Sequence, residues 1–239
     1  MTIKEALEFD NYSLEAEVLL CYVLKKDKSW LYSHQFNILS SDRTRRYQKL
    51  IVRRKEGVPT AYLTHYKEFF GLNFYVSESV LIPRPETELL VEGALKFRKR
   101  RPKILDVGTG SGNIIISIAK NRKGDFYASD IAAESLKIAR KNAAKHKVKI
   151  KFYKSDLFKN LPQIKFDLII ANLPYLWNNY PKFEPRTALD GGKNGLKIIE
   201  NFFKQTNYYL NKKSTILLEI DPRQVSKIKI LSKKYKVYI

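Results

Sequence analysis

The chain has 239 residues, 44% of them hydrophobic and 13% aromatic. That length and composition suit one large globular domain, or a small one beside a medium one, and argue against a disordered chain. The formal net charge is +21, no apolar run approaches membrane-spanning length, and the start Met1-Thr2-Ile3-Lys4-Glu5 lacks the layout of a secretion signal.

Thr2-Ile3-Lys4-Glu5 has the spacing of a capping box and opens a short helix. Ser13 caps a second, whose Ala16, Leu19, Leu20, Val23 and Leu24 follow i, i+3, i+4, i+7, i+8 spacing. Cys21, the only cysteine, lies along that stripe and reads as a core residue. With no disulfide available, the chain suits a reducing cytoplasm. A third short helix is expected over Trp30 to His34. A fourth follows Ser40-Ser41-Asp42, with Tyr47, Leu50 and Ile51 inward and Arg43, Arg45, Arg46, Arg53 and Arg54 outward; Gly57 and Pro59 end it. Residues 1–65 thus form a small helical domain without visible chemistry, suited to recognising a partner.

Residues 66–84 read as a linking hairpin. Glu68-Phe69-Phe70 and Leu72, Phe74 and Val76 give two short strands around Gly71-Leu72-Asn73. Val80-Leu81-Ile82-Pro83-Arg84-Pro85-Glu86-Thr87-Glu88 follows. Its prolines forbid regular structure through 83–85, and Glu86 or Thr87 begins a helix to about Arg98.

Residues 85–239 alternate. Strands are expected at Ile104–Val107, Phe126–Asp130, Val148–Tyr153, Phe166–Ala171, Thr215–Ile220 and Val237–Ile239. Helices are expected at Ile114–Lys120, Ala132–Lys145, Leu196–Leu210 and Gln224–Lys233. This predicts an α/β fold, a mostly parallel sheet with helices on both faces.

Asp106-Val107-Gly108-Thr109-Gly110-Ser111-Gly112 stands where a strand passes into a helix. Glycine lets the backbone turn tightly and a ligand approach without Cβ clashes. The spacing departs from the usual dinucleotide register, and the lysine of a phosphate loop is missing. Asp130 and Asp156 end the next two strands, where carboxylates face the crevice at the sheet's carboxyl edge. Asp130 is placed to accept ribose hydroxyls, and Leu157 beside Asp156 to cover an adenine face. Each acid alone reads equally well as a helix N-cap. Together with the glycine loop they favour a nucleoside-bearing cofactor.

Asn172-Leu173-Pro174-Tyr175 follows the apolar strand Phe166–Ala171. An Asn leaving a buried strand into a Pro-Tyr turn presents a carboxamide oxygen, backbone carbonyls and an aromatic face in one small space. Those parts suit a planar –NH2 group. The tetrapeptide alone is also the sequence of an ordinary turn. His34, His65 and His146 show no metal-ligand spacing, so no metal is expected.

The glycine loop and strand-end acids resemble those of class I S-adenosylmethionine-dependent methyltransferases. The finer resemblance is to the release factor glutamine methyltransferases. It is carried by Gly57-Val58-Pro59 through Tyr62, Glu68-Phe69-Phe70-Gly71-Leu72, Val80 through Glu88, Glu184-Pro185, and Ala188-Leu189-Asp190-Gly191-Gly192-Lys193-Asn194-Gly195-Leu196. It covers nearly the whole chain and implies a Rossmann-like sheet with a helical N-terminal domain. Asp106, Gly108, Thr109, Gly110, Ser111, Gly112, Asp130, Asp156, Leu157 and Asn172 would bind S-adenosylmethionine. Asn172, Leu173, Pro174 and Tyr175 would carry catalysis, and the acceptor would be the glutamine of a release factor's Gly-Gly-Gln loop. In this picture the Asn172 oxygen and Leu173 carbonyl accept the two amide N–H groups, Pro174 holds the loop and Tyr175 packs on the amide plane. Glu184, Arg186 and Arg84 read equally as structural or substrate-positioning.

Two departures stand out. The family usually has Asn-Pro-Pro-Tyr, whereas Leu173 replaces the first proline here. That variant also resembles the ribosomal RNA adenine dimethyltransferases. The family also continues into an antiparallel seventh strand beyond the point where this sequence stops, and the lack of that strand would expose a sheet edge. The charge is uneven: residues 1–82 carry twelve Lys/Arg against ten Asp/Glu, and the rest 33 against 14. Such a field favours weak contact with RNA or ribosome surfaces, though scattered lysines such as those from Lys141 to Lys154 also suit a solvated face. The alternatives are therefore an RNA adenine methyltransferase or a non-catalytic, cofactor-binding RNA-associated protein. A monomer without membrane attachment is expected.

Overall fold

A computed structural model describes residues 1–10 and 13–234. The strand expected at Val237–Ile239 lies outside the described residues. The chain divides into two compact units, Met1–Tyr66 and Lys67–Ile239.

The first unit holds α1 (Ile3–Glu8), α2 (Leu14–Leu24), α3 (Lys28–Ser33), α4 (Ser41–Lys55) and α5 (Thr60–Thr64). Four starts follow from side chains at the caps. Thr2 and Glu5 exchange both capping-box bonds, and Ser13, Asp27 and Ser40 each accept from the amide three residues on. The α2 stripe is buried against α4 and α5. Tyr47 is fully buried and its hydroxyl donates to the Ala6 carbonyl at 2.8 Å. Cys21 is half-buried rather than core, because one residue past Leu20 turns it about 100° off the stripe. Leu50 is likewise only half-buried. Pro59 does not simply end the helical part. Its fixed φ of −57° opens α5, which the apolar periodicity alone did not reveal.

β1 (Tyr66–Phe69) begins on the last residue of the first unit, and the second unit goes on with β2 (Leu72–Tyr75), α6 (Glu88–Leu95), β3 (Lys103–Val107), α7 (Asn113–Asn121) and β4 (Asp125–Asp130). It continues with α8 (Ala133–Lys145), β5 (Lys151–Lys154), β6 (Phe166–Ala171), α9 (Lys197–Thr206), β7 (Leu210–Leu218) and α10 (Val225–Leu231). The β1–β2 turn falls on Phe70-Gly71, both at positive φ (52° and 68°), one residue earlier than expected. This hairpin is docked rather than a free linker. Phe69 and Phe74 are fully buried, and the Asn142 carboxamide on α8 bonds both the N–H and the C=O of Tyr75, at 2.8 and 3.0 Å.

The main sheet has the order β5-β4-β3-β6-β7, with every neighbouring pair parallel. β6 is buried along its whole length and β3 from Ile104 onward, which explains their continuous apolar character. Ile104, Leu168 and Ile170 point into one apolar cluster with α6 and α7; Leu105, Phe166 and Ile169 point into the other with Phe202 of α9. The chain builds β3, β4 and β5 outward, then returns to the other flank of β3 for β6 and β7. The carboxyl ends of β3 and β6 therefore lie side by side where strand order reverses, which opens a crevice.

The C-terminal boundaries differ from the sequence expectation. α9 stops at Thr206, and β7 already begins at Leu210 rather than Thr215. The polar run Asn211-Lys212-Lys213-Ser214 reads as a loop. It joins the strand as a bulge between the Phe166–Leu210 and Leu168–Thr215 pairs. Asn211 is held there by the buried Asp167 carboxylate at 2.7 Å, which also accepts from Lys99 Nζ and the Lys103 amide, both at 2.8 Å.

Candidate active site

β3 delivers the chain into the glycine loop, and α7 starts directly after it. Gly108, Gly110 and Gly112 all have positive φ, at 75°, 53° and 81°. At Gly112 a Cβ would come within 2.8 Å of Ile116 Cδ1 and 3.2 Å of Ala139 Cβ, so this glycine seats α7 against α8. At Gly110 a Cβ would meet nothing within 4 Å and would project into open space.

Asp106 is fully buried. Its Oδ2 accepts from the Thr109 hydroxyl at 2.7 Å, and its Oδ1 has no hydrogen-bond partner among the described residues. Burial pushes its carboxyl up to about 7; the Thr109 hydroxyl opposes the shift and the nearby Asp130 charge adds to it. Asp130, at the end of β4, accepts from Gly110 N and Ala132 N, each at 2.9 Å. Burial raises its carboxyl as well, against those backbone donors. Asp156 stands two residues beyond β5, half exposed, with Lys159 Nζ at 2.5 Å. Leu157 has φ 52° and is buried beside it.

Asn172 leaves β6 next to the glycine loop. Its Nδ2 donates to Thr87 Oγ1 at 3.1 Å. Leu173 is 3% exposed and packs so close to Gly108 that a Cβ there would stand 3.3 Å from Leu173 Cδ2. A cavity of about 250 Å³ opens here, lined among others by Gly108 to Ser111, Asp130, Asp156, Leu157 and Asn172 to Pro174. Asp106, Gly112 and Tyr175 are not among its lining residues. The Tyr175 ring packs instead beside Leu196, Ile199 and Ile228, and its hydroxyl donates to Glu219 Oε1 at 3.3 Å. Burial, reinforced by the Glu219 charge, pushes that hydroxyl up to about 12.

The two distinctive sequence segments both clasp this turn. Gly191 N donates to the Leu176 carbonyl at 2.7 Å, and Leu176 N to the Leu189 carbonyl at 2.9 Å. A Cβ on Gly191 would fall 2.6 Å from the Pro174 oxygen, and one on Gly195 only 1.9 Å from the Tyr175 oxygen. The Gln224 side chain donates to the carbonyls of Tyr175 and Asn194, both at 3.1 Å. On the other side, Glu184 accepts from Ile82 N at 3.1 Å and pairs with Arg84, which ties down the proline-rich segment. Arg186 pairs with Asp190 at 3.2 Å on the surface. Thr87, Glu219 and Gln224 were not singled out as site residues by sequence reasoning. Glu219 carried a usable signal: it falls near the end of a strand at the same sheet edge as Asp130.

The residues present fit a nucleoside sulfonium cofactor. The loop leaves open space over Gly110, and the cavity joins apolar walls to two strand-end acids. Two family models match the chain: a methyltransferase domain over residues 99–236 and the PrmC N-terminal domain over residues 3–64. The release factor glutamine methyltransferase of Buchnera aphidicola subsp. Baizongia pistaciae is 40% identical over 93% of this chain and 84% of that protein. That of Koribacter versatilis is 38% identical over 90% and 81%.

The chain belongs to the release factor glutamine methyltransferase family.

Like that family, it is a class I methyltransferase dependent on S-adenosylmethionine. Solved structures agree on the fold. A Pyrococcus furiosus methyltransferase superposes with a TM-score of 0.56 at 20% identity, covering 80% of this chain and 92% of that one. A ribosomal protein L11 methylase from Lactobacillus delbrueckii subsp. bulgaricus gives 0.51 at 25% identity, covering 63% and 69%. Among the described residues no helix is long and apolar enough to cross a membrane, and no group of three or more His, Cys, Asp or Glu is placed to hold a metal. His34 stacks on Trp30 at 4.2 Å, and His146 Nε2 lies 2.9 Å from the Asn73 carbonyl.

Proposed function

We propose that this chain methylates the side-chain amide nitrogen of the glutamine in the Gly-Gly-Gln loop of peptide chain release factors, with Asn172 orienting that amide. The observation that carries this reading is that Asn172 lines the same cavity as the glycine loop, at the point where strand order reverses. Asp130 would take the ribose hydroxyls of the cofactor and Leu157 the adenine face. The glycine loop would lie along the rest, with Asp106 buried behind it and holding the Thr109 hydroxyl. When bound, S-adenosylmethionine supplies an electrophilic methyl group on a sulfonium.

A glutamine amide nitrogen is a poor nucleophile, because its lone pair is delocalised into the carbonyl. The chain's part is therefore to position it and to favour loss of planarity. Asn172 Oδ1 and the Leu173 carbonyl accept its two N–H bonds and hold the nitrogen in line. Pro174 and the Gly191–Gly195 clasp, which closes on the Pro174 and Tyr175 oxygens, hold the backbone next to the Leu173 carbonyl. The N–CH3 bond would form as the sulfonium C–S bond breaks, its electron pair staying on sulfur as a neutral thioether, and one amide proton, acidic once the nitrogen is methylated, would leave to solvent without a strong base. Residues 1–65 recognise the release factor, and the basic excess adds weak attraction to RNA or ribosome surfaces. The protein acts in the cytoplasm as a monomer.

Labelled methyl transfer tests this with purified release factor and ribosomal RNA offered separately. Label should enter the release factor; label entering RNA alone sinks the proposal. Asn172→Ala should abolish transfer and keep most of the cofactor affinity. Unchanged turnover in that variant would refute the role given to Asn172.

A further inference from the structure

Asn172 can act as an acceptor only if its carboxamide is turned with oxygen towards the cavity. Oxygen and nitrogen of an amide have nearly the same shape, so only their partners decide which way it faces. The partners here are acceptors. Asn172 Nδ2 donates to Thr87 Oγ1 at 3.1 Å. Behind this pair stands Glu219, directly after β7, with its own amide bonded to the Ala171 carbonyl at 3.1 Å. One carboxylate oxygen takes the Tyr175 hydroxyl; the other is buried, and the Thr87 and Asn172 side chains interact with this carboxylate.

We infer that Glu219 is a positioning residue for the transfer: with Thr87 it forms an acceptor wall that keeps the Asn172 nitrogen turned inward and its oxygen free for the substrate amide. This rests on the acceptor role given to Asn172 above. The wall works because a buried carboxylate has no proton to give, so it rejects the oxygen side of the carboxamide and accepts the nitrogen side. Thr87 has one hydroxyl proton. If that proton is directed to Glu219, its oxygen is left to accept from Asn172. Without the carboxylate the hydroxyl can rotate and donate to Asn172, which makes the flipped carboxamide equally good. Burial raises the Glu219 carboxyl, while the Thr87, Tyr175 and Asn172 side chains favour its charged form and Glu86 opposes it. The same arrangement explains why a threonine closes the proline-rich segment, and why Tyr175 turns its hydroxyl away from the cavity.

The test pairs kinetics with a signal that does not depend on turnover. Glu219→Gln keeps the shape and supplies a donor. It should lower kcat by on the order of 10- to 100-fold, the scale of a misplaced catalytic group, with release-factor KM, cofactor affinity and Tm unchanged. Thr87→Val should do the same, whereas Thr87→Ser should restore wild-type kcat. In protein labelled with 15N-asparagine, the Asn172 side-chain NH2 signal is identified by its loss in Asn172→Ala. It should be protected from solvent exchange in the wild type and lose that protection in Glu219→Gln. An unchanged NH2 signal in Glu219→Gln, a wild-type kcat, or a matching loss of cofactor binding overturns the proposal. Failure of the underlying reading looks different: Asn172→Ala would then turn over normally even though the NH2 signal still responds to Glu219→Gln.

Discussion

Gly195→Ala is the sharpest probe of how the site is held. Two costs are legible in the structure. Gly195 has φ 67°, and an L-residue in the left-handed region costs about 1–2 kcal/mol. The added Cβ would also stand 1.9 Å from the Tyr175 oxygen and 2.5 Å from Gln224 Nε2. Ordinary contact begins near 3.4 Å, so the Tyr175 backbone must retreat by about 1.5 Å (3.4 minus 1.9) or the clasp must open. Tyr175 is two residues from Leu173, whose carbonyl is an acceptor in the proposed mechanism. A displacement of about 1 Å relayed to that carbonyl costs on the order of 100-fold in rate. Labelled methyl transfer to release factor should therefore show kcat reduced by about that factor, while calorimetric cofactor binding stays within a few fold. Gly71→Ala separates strain from displacement: it has φ 68°, but nothing within 4 Å of its Cβ. It should lose only the strain, about 1–2 kcal/mol, and keep wild-type kcat. A Gly195→Ala enzyme with normal kcat, or a Gly71→Ala enzyme equally impaired, refutes the clasp.

Asp106→Asn tests the buried carboxyl. A carboxyl raised to about 7 keeps its proton in the fold while the unfolded chain has released it above its ordinary value near 3.8. Stability is therefore lost as pH rises between those values, by up to about 4 kcal/mol for a shift of this size. Without cofactor, the wild type should fall relative to Asp106→Asn from pH 4 to pH 7 in thermal unfolding; parallel curves would contradict the shift. Tyr47→Phe removes a buried hydroxyl that donates to the Ala6 carbonyl, and should lower the urea midpoint by the equivalent of about 1 kcal/mol. An unmoved midpoint would mean that this bond contributes nothing.

Much of the second unit was legible because its signals are local or periodic. The continuous apolar runs of β3 and β6 mark strands buried on both faces, and the glycines between Val107 and Asn113 mark a tight turn whose positive φ at Gly108 and Gly112 favours glycine. What escaped the sequence depends on pairings far apart in the chain. β7 starts at Leu210 because Asn211 meets Asp167, 44 residues earlier. The Asn172 carboxamide meets Thr87, 85 residues earlier, and Tyr175 meets Glu219 and Gln224, 44 and 49 residues later. Nothing in local spacing reports such contacts. Tyr175 illustrates the consequence. Its place in the tetrapeptide suggests a ring over the substrate, yet the ring packs beside Leu196 and Ile228.

The same long-range contacts bear on Leu173, where glutamine and adenine acceptors competed as readings of the sequence. The lost proline suggested a looser loop, since proline fixes φ and leucine does not. The rigidity of this turn is supplied elsewhere. Leu173 is 3% exposed, with its side chain against Gly108, so packing already restricts the residue. Downstream, the carbonyls of Pro174 and Tyr175 are pressed by Gly191 and Gly195, and Gln224 bonds the second of them. Upstream, Ala171 is locked into β6 between β3 and β7. A backbone held at 171, 174 and 175 has little freedom at 173, whichever residue stands there. The first proline is therefore dispensable for presenting the carbonyl. Leu173→Pro should leave kcat close to wild type, because the only backbone group that proline removes is the N–H, while the acceptor carbonyl stays.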